Sequence, residues 1–425
     1  NRRPYLRASI MTSSITNYFP YLLPLLLVFS RSLADITIVL IGFLFLYHSY
    51  QNIGWHWVKD KWFSFALIFT IYCLTINSAM SIEPTETLAY SLFFIRWPIF
   101  ALALAYWILN DAKSLKKFFV SMTIVLFFII FDTWWQFFFE QDIFGFEKYS
   151  GDRLTGPFKN NPHVGAWIAK LVLLPPMFLI LYKKLKLQHY KNHLTYTFFI
   201  VSSILFLSVF ITGERMALLL ILANIFIIFI GIVLDKLFSL KKMVILLLVS
   251  FCGILYFAYT FPDTTQRAYF SSIEKIFNWR TSDYGLVWQS AYDVWMQSPV
   301  FGVGLHKYRE ACENLGIYGS SYLNAIGSGV CFHPHNISLQ LLSETGIIGF
   351  ILFYIMVCVL TFSSLKTFYT KRLWLSFALV LNIIFTCFLP IASSTSFFAN
   401  KYAAIIWLLI GVMLATNKLF SKSIK

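Results

Sequence analysis

The amino-acid sequence predicts an all-α polytopic membrane protein, and two observations support this class. Of the 425 residues, 58% are hydrophobic and only 12% are charged, and 46 are phenylalanine. A soluble chain of this length could not bury so much apolar surface. In addition, apolar runs about long enough to cross a bilayer as helices recur along the chain between short polar breaks.

The apolar runs predict about twelve transmembrane helices. We place them near residues 17–30, 33–49, 62–80, 88–107, 117–139, 163–182, 195–212, 216–234, 242–260, 337–363, 373–390 and 398–417. The domains are then transmembrane helices 1–9 in residues 1–260, a large external loop with short helices in 261–336, and transmembrane helices 10–12 in 337–425. No small-residue cleavage site follows the first run, so we expect a membrane helix there and not a signal peptide.

The basic residues alternate along the chain. The formal net charge is +15, and lysine and arginine concentrate in every second connection, as at 113–117, 183–191 and 236–242. This is the positive-inside pattern, so those connections and both termini are expected in the cytoplasm. The same pattern explains the basic excess without any nucleic-acid partner.

The remaining connections, at 140–162, 211–216 and 261–336, are therefore expected on the outer side. The cytoplasmic connections are short, and the chain has no GxxxxGK[ST], GxGxxG or DxD motif. No site for a nucleotide or a metal-bound sugar nucleotide is therefore predicted. No internal repeat is evident, which disfavours an inverted-repeat transporter. We expect activity on the outer side without ATP, metal or another cofactor.

Four charged residues lie inside predicted helices, namely Arg96, Asp132, Lys170 and Glu344. Each is about seven residues from the outer end of its helix, which corresponds to a depth of roughly 10–12 Å. A cavity that opens to the outer leaflet explains this common depth. The alternative is structural pairing, for example between Arg96 and Asp132.

External arginines supply candidate anion-binding groups. Arg215 follows Glu214 at the predicted start of a helix, where free backbone N–H groups and a guanidinium together suit a phosphate. The alternative for Arg215 is an interfacial anchor paired with Glu214. Arg153 and Lys159 frame a Gly-Pro turn, and for them a solvated pair and a ligand contact both remain open.

Arg280 precedes an aromatic stripe in the external loop. Tyr284, Trp288, Tyr292 and Trp295 recur at helical spacing and predict an amphipathic helix. Packing is the favoured role for these aromatic side chains, and sugar stacking is the alternative.

A histidine pair, His333 and His335, directly precedes a predicted membrane helix. A neutral imidazole can take a proton from a sugar hydroxyl at ambient pH, so a general base is the sharper interpretation. A structural histidine is the main alternative, and zinc is disfavoured because no further ligands stand at ligand spacing. Asn336 is expected to cap the following helix, and Gly346 and Gly349 to allow a bend or a close helix contact.

Two cysteines, Cys312 and Cys331, share the large external loop. A compartment outside the cytoplasm permits a disulfide between them, which would close a loop just before the histidine pair. The alternative is two free thiols.

Four segments together resemble the O-antigen ligase family, which comprises bacterial membrane glycosyltransferases, both O-antigen ligases and the related O-antigen polymerases. The segments are RLTGPFKNNPHVGAWIA at 153–169, TGERMALL at 212–219, Arg280 with Trp288 and Ala291 followed by PVFGVGLHKYR at 299–309, and HPHNISLQLLSETGIIGF at 333–350. Their order and spacing and the predicted twelve-helix topology all fit the family.

The resemblance implies an O-antigen ligase. Such an enzyme moves a glycan from undecaprenyl diphosphate to a sugar hydroxyl of lipid A-core in lipopolysaccharide assembly, at the periplasmic face of the bacterial inner membrane. No metal, nucleotide or other cofactor is implied. An O-antigen polymerase, whose acceptor is a growing lipid-linked glycan, is the alternative, and a transporter or flippase of lipid-linked glycans is a lesser one.

The resemblance also implies site residues. The family's histidine corresponds to His335, and its two prominent arginines correspond to Arg215 and Arg280. With His335 as general base, a single inverting displacement is the favoured mechanism, because no carboxylate is clearly placed as a covalent nucleophile; Glu344 as nucleophile is the alternative. From depth and charge, the further candidate substrate-binding residues are Arg96, Arg153, Lys170, His333 and Glu344. Glu214 departs from the family pattern, because many relatives carry a small residue there, and its charge partly offsets Arg215.

Overall fold

The computed structural model describes residues 20–149, 153–171, 191–237, 240–266, 278, 282–316, 331–392 and 395–422. Within these ranges the chain is helical apart from its connections, and extended pairing is limited to two isolated bridges, Gln141 with Glu147 and Tyr149 with Arg153. Arg280 lies outside the described residues, as does the whole second half of the predicted helix at 163–182.

Fifteen α-helices are named here within the described residues. They are α1 Pro20–Phe29, α2 Arg31–His48, α3 Lys61–Tyr72, α4 Pro84–Phe94, α5 Arg96–Ala103, α6 Ala112–Phe139, α7 Val164–Leu171, α8 Lys191–Ile211, α9 Arg215–Leu234, α10 Leu240–Thr260, α11 Asp283–Gln297, α12 Tyr308–Asn314, α13 Ile337–Thr370, α14 Trp374–Phe388 and α15 Asn400–Lys422. Shorter pieces are the π-helical Ser49–Ile53, Cys73–Asn77 and Leu104–Ile108, the 3₁₀ turns His56–Lys59, Gly156–Phe158 and Pro390–Ala392, and the single turn Pro262–Thr265.

The fold is that of a helical membrane protein. Six helical stretches in the described part are long and apolar enough to cross a membrane: Arg31–Asn52, Pro84–Ile108, Ala112–Phe139, Arg215–Leu234, Ile337–Thr370 and Asn400–Leu419. Shorter apolar helices occur at Pro20–Phe29, Lys61–Asn77, Phe199–Ile211, Phe251–Thr260 and Trp374–Phe388. Each of the twelve predicted ranges thus contains helix, whereas twelve membrane crossings stay a prediction.

Six helices begin at the same end of the bundle. Their first residues surround one cavity, which is lined by Arg31 of α2, Glu86 of α4, Ala166 of α7, Arg215 of α9, Gln340 of α13 and Ala399 just before α15. Because a helix N-terminus carries roughly half a positive charge, this arrangement favours anions at that end of the bundle.

Aromatic packing holds the centre of the bundle together. Helix α13 packs against α3, α14 and α11, while α9 packs against α14 and α15 against α5. The fully buried ring of Phe353 on α13 lies edge-to-face against Phe69, Phe388 and Phe397, at centroid distances of 5.4, 5.9 and 5.4 Å. Such pairs add to the dispersion energy of a membrane bundle, in which water supplies little driving force between helices.

Arg96 is bound to neighbouring helices. Its Nη2 lies 3.3 Å from Asp35 Oδ1 and donates to Asn400 Oδ1 at 3.0 Å, and Asn400 donates in turn to Asp35. The predicted pairing of Arg96 with Asp132 is therefore wrong, because α5 packs against α2 and α15. Asp132 instead accepts the backbone N–H of Ile143 at 2.9 Å.

Lys170 is also a structural cation. Its side chain on α7 is buried, and the ammonium lies 4.7 Å from the ring centroid of Tyr402 on α15. Neither Lys170 nor Arg96 lines the cavity at the helix N-termini. The predicted depth of these charges in the membrane did not indicate which side of its helix each charge faces.

Candidate functional site

The cavity at the helix N-termini has a volume of about 1330 Å³, and its walls are polar and apolar in about equal parts. Its charged and histidine side chains are Arg31, Glu86, Arg153, His163, Glu214, Arg215, His306, Lys307, Arg309, Glu310, Glu313, His333, His335 and Glu344. Cations and carboxylates are mixed in this wall, and four imidazoles stand among them. The cavity is therefore suited to an anionic group and to proton transfer.

One wall is built on a break in helix α13. Gly346 has φ 64° and ψ −175°, a conformation that is non-helical and favours glycine. An added Cβ at Gly346 would collide with the carbonyl of Val300, and one at Gly302 would collide with the carbonyl of Glu344. The glycines thus allow the segment 299–305 to lie against the broken helix.

Segment 299–305 satisfies the backbone groups that the break exposes. Val303 N donates to Ser343 O at 2.9 Å and Gly304 N donates to Glu344 O at 3.0 Å. Ile347 N donates to Pro299 O at 2.9 Å. A helix break inside a membrane is tolerated only where its polar groups find such partners. Segment 299–305 therefore stabilises the break in α13.

Asn77 joins this arrangement to the end of helix α3. Its Nδ2 donates to Phe301 O at 2.8 Å and to Glu344 O at 2.9 Å, and its Oδ1 accepts the N–H of Leu305 at 3.1 Å. Tyr72 adds a hydrogen bond from its hydroxyl to Thr345 O at 2.8 Å. Three stretches that are distant in sequence are thereby fixed beside the cavity.

The break places the Glu344 carboxylate in the cavity wall. Its Oε2 accepts the backbone N–H of His306 at 2.8 Å, and its Oε1 accepts the side-chain amide of Gln340 at 2.9 Å. Gln340 also donates to Ser396 at 2.7 Å. Both oxygens of this buried carboxylate are therefore held by protein donors, as a buried charge requires.

His306 and Tyr90 form an aromatic pair at the cavity edge. The rings are stacked with centroids 4.2 Å apart. His306 has φ 67°, and burial lowers the pKa of its imidazole, which favours the neutral form. Next to it, Lys307 is bound to Glu86 at 2.5 Å and to Glu310 at 2.7 Å.

The histidine pair lies on a segment that is fixed at both ends. Cys331 is joined by a disulfide to Cys312 on α12, with a Cα–Cα distance of 5.6 Å. Asn336 caps α13, because its Oδ1 accepts the N–H groups of Ser338 at 3.0 Å and Leu339 at 3.2 Å. The predicted helix cap is confirmed, and the disulfide occurs as expected.

His333 and His335 contact each other across Pro334. The His333 Nε2 and His335 Nδ1 atoms are 3.2 Å apart, and the ring centroids are 3.9 Å apart. His335 has φ 50°, and Tyr284 on α11 lies edge-on against its ring at 5.9 Å. Both imidazoles line the cavity.

Glu214 joins the starts of two helices at the cavity wall. The buried Glu214 carboxylate accepts the N–H of Gly165 at 2.6 Å and that of Ala166 at 3.1 Å, so it binds the start of α7 to the start of α9. Burial raises the pKa of Glu214 to about 7, against the opposing effect of these hydrogen bonds. Arg215, the next residue, lines the cavity with His163.

Arg153 is positioned by the loop that follows α6. Gln136 near the end of α6 accepts the N–H groups of Thr155 at 2.8 Å and Gly156 at 2.9 Å, and it donates to Thr155 Oγ1 at 3.0 Å. This fully buried amide fixes the turn directly after Arg153. A loop residue thereby acquires a defined position in the cavity wall.

The structure therefore brings together five of the sequence-predicted site residues: Arg153, Arg215, His333, His335 and Glu344. It places Arg96 and Lys170 elsewhere, and Arg280 lies outside the described ranges. Sequence reasoning missed the cavity residues Arg31, Glu86, His163, His306 and Lys307. A signal for His306 existed, since it directly follows the paired glycines of FGVGL.

No group of three or more histidine, cysteine, aspartate or glutamate side chains within the described residues could hold a metal ion. His333 and His335 thus form a pair without a third such ligand in that part of the chain.

Fold and cavity define a polytopic helical membrane protein with a charged cavity at the N-terminal ends of its helices. Among known families, the model described as O-Antigen ligase matches residues 199–354. This segment is therefore an O-antigen ligase family domain, as the sequence motifs indicate. A comparison with curated proteins finds no match. The matched segment supplies Arg215, His306, His335 and Glu344 to the cavity.

Proposed function

We propose that the protein is an O-antigen ligase that moves a glycan from undecaprenyl diphosphate to a sugar hydroxyl of lipid A-core, at the periplasmic face of the bacterial inner membrane. The observation that carries this proposal is the coincidence of the matched family segment with the cavity wall. Arg215 and His335 both lie in that segment and both line the cavity, together with an anion-favouring set of helix N-termini.

The donor diphosphate binds at arginines of the cavity wall. Arg215, Arg153 and Arg31 line the cavity, and guanidinium groups suit phosphate because they donate two parallel hydrogen bonds. Arg280 is the further family arginine that we assign to the donor. These cations stabilise the negative charge that develops on the phosphate oxygen as the glycosidic bond breaks.

His335 removes the proton from the acceptor hydroxyl. The oxygen attacks the anomeric carbon, the bond to the diphosphate breaks, and the configuration inverts in a single displacement. Both carboxylate oxygens of Glu344 accept hydrogen bonds from the protein, which supports this route over a covalent intermediate on Glu344. Glu344 instead contributes an oriented negative group to the cavity wall, where it positions His306 and the substrate.

Binding brings two lipids into one cavity. A volume of about 1330 Å³ is large enough for a diphosphate with several sugar rings. Holding donor and acceptor in a defined geometry replaces an encounter between two lipids by a reaction within one complex. The diphosphate is already a good leaving group, so the reaction needs no nucleotide at this site.

The proposal is tested with purified protein in proteoliposomes that contain an undecaprenyl-diphosphate glycan and lipid A-core, in the presence of a chelator and without nucleotide. We expect glycan to become attached to lipid A-core. Extension of the donor glycan without use of lipid A-core would identify a polymerase instead. The absence of any new glycosidic bond, with glycan found on the opposite side of the bilayer, would identify a transporter and overturn the proposal.

A further inference from the structure

We infer that His333 is not a substrate ligand but a positioning residue, which accepts the Nδ1 hydrogen bond of His335 and shares the proton that His335 takes up during transfer. This inference rests on the proposed function, because it assigns the partner of the proposed base. It follows from the contact between the two rings and from the way in which their segment is held.

The relative position of the two rings is built into the fold. The segment 331–336 is fixed by the disulfide at Cys331 and by the helix cap at Asn336, and Pro334 between the histidines restricts the backbone further. His335 adopts φ 50°, a left-handed conformation that is uncommon for a residue with a side chain. This turn brings His333 Nε2 to 3.2 Å from His335 Nδ1.

The contact between the rings selects one tautomer of His335 for catalysis. A neutral imidazole carries one proton, so one ring nitrogen donates and the other accepts. If His333 donated to His335 Nδ1, then Nε2 of His335 would carry the proton and could not act as a base. His335 is a base at Nε2 only when its Nδ1–H donates to an unprotonated His333 Nε2.

The proton balance follows from that tautomer. The acceptor hydroxyl gives its proton to His335 Nε2 while its oxygen forms the new bond to the anomeric carbon, and the diphosphate leaves with the electron pair. The pair of imidazoles now carries one positive charge. The Nδ1 proton lies between His335 and His333, so the charge is shared, much as a histidine base is supported by an oriented acceptor in hydrolases.

The inference is tested by the pH profile of transfer by purified protein, from about pH 5 to about pH 9, where an imidazole titrates. The reaction needs neutral His335, so the rate falls at low pH. In His333→Ala, the imidazolium of His335 loses an acceptor, and we expect the acid limb to move down by about one pH unit. In His333→Glu, a carboxylate stabilises the imidazolium, and we expect the acid limb to move up by about one unit or more.

Opposite shifts distinguish this role from general damage to the site. The other ionisable groups of the cavity wall are shared by both variants; they are Arg31, Glu86, Tyr90, Tyr149, Arg153, His163, Glu214, Arg215, Tyr284, His306, Lys307, Tyr308, Arg309, Glu310, Glu313 and Glu344. We also expect His333→Ala to lower kcat by about tenfold, with the KM for donor little changed. This fall in kcat is smaller than the roughly 10²- to 10⁴-fold fall expected when a general base itself is removed. The exposed His56 provides the matched control, as His56→Ala should keep the wild-type profile.

Failure of this inference differs from failure of the proposed function. If His335→Ala is inactive while His333→Ala keeps the wild-type kcat and acid limb, the shared proton is refuted and the general base stands. If a chelator abolishes transfer by the wild type but leaves the residual transfer by His333→Ala unchanged, the histidine pair binds a metal ion and the inference is also refuted. If His335→Ala transfers glycan normally, the general-base role of His335 fails and the inference fails with it, whereas the proposed function fails only if the wild-type protein transfers no glycan to lipid A-core. Thermal unfolding of each variant identifies any that do not fold.

Discussion

Replacement of Asn77 by alanine should destabilise the protein by removing a buried amide that joins three stretches of the chain. Asn77 is fully buried and its amide makes three hydrogen bonds, to Phe301, Glu344 and Leu305. Each carbonyl that Asn77 binds keeps a second donor, from Tyr72 or from the chain itself. The N–H of Leu305 loses its Asn77 partner.

The magnitude follows from these contacts. A net contribution of about 1 kcal/mol per hydrogen bond gives about 3 kcal/mol for the three bonds. Hydrogen bonds between membrane helices average closer to 0.6 kcal/mol, which sets a lower limit of about 2 kcal/mol. The isosteric variant Asn77→Asp keeps the acceptor for Leu305 but places a carboxylate oxygen against two carbonyl groups. Its free energy of unfolding should therefore fall at least as far.

The assay is reversible unfolding of the purified protein in mixed micelles, with Asn52→Ala as control. Asn52 is exposed, and its side chain forms an exposed hydrogen bond with the nearby His48. Asn52→Ala should therefore change the free energy of unfolding by less than about 0.5 kcal/mol. Equal stabilities of Asn77→Ala and Asn52→Ala would refute the role of Asn77 in holding segment 299–305 on the broken helix.

Three further predictions concern the cavity wall and the contacts that support it. Glu214 has a raised pKa of about 7, so its contribution to stability is largest below the unfolded value near 4.5 and is lost as pH rises to about 7. The unfolding temperature of the wild type should therefore drop between pH 5 and pH 8, and Glu214→Gln should remove that drop. An unchanged drop in Glu214→Gln would contradict this role of the carboxyl group. Cys312→Ser opens a loop of 19 residues and should lower the free energy of unfolding by about 3 kcal/mol. Reduction of the wild type should lower it by the same amount, and equal melting temperatures before and after reduction would contradict this prediction. Gln136→Ala should raise the KM for donor with kcat little changed, because the turn after Arg153 loses its support; an unaltered KM would contradict that role.

The membrane class and most helices could be predicted from the sequence because hydropathy is a local property. The structure differs from the predicted helices where tertiary contacts determine how a helix ends or breaks. The predicted helix at 62–80 ends as α3 at Tyr72 and continues as a π-helix to Asn77, which turns the amide toward segment 299–305. The predicted helix at 337–363 extends to Thr370 but is broken at Gly346. Neither change is visible in the periodicity of apolar residues.

The site was partly predictable for a related reason. His335 and Arg215 lie in short motifs, whose local backbone geometry can be predicted from the sequence. The helix cap at Asn336 is an example. Arg96 was misplaced because sequence gives the depth of a side chain in the membrane but not the helix it faces. His306 was missed because its place beside Glu344 depends on how segment 299–305 packs against the helix break at Gly346; the glycines predict a bend or a close helix contact, but not the segment that packs there.

The role of His335 is tested most directly by the single-turnover rate of glycan transfer in His335→Ala, with enzyme in excess over labelled donor in proteoliposomes. A general base predicts a fall of at least about 10²-fold with donor binding retained, while the His56→Ala control transfers at the wild-type rate. A rate for His335→Ala within about threefold of the wild-type rate would contradict proton removal by His335.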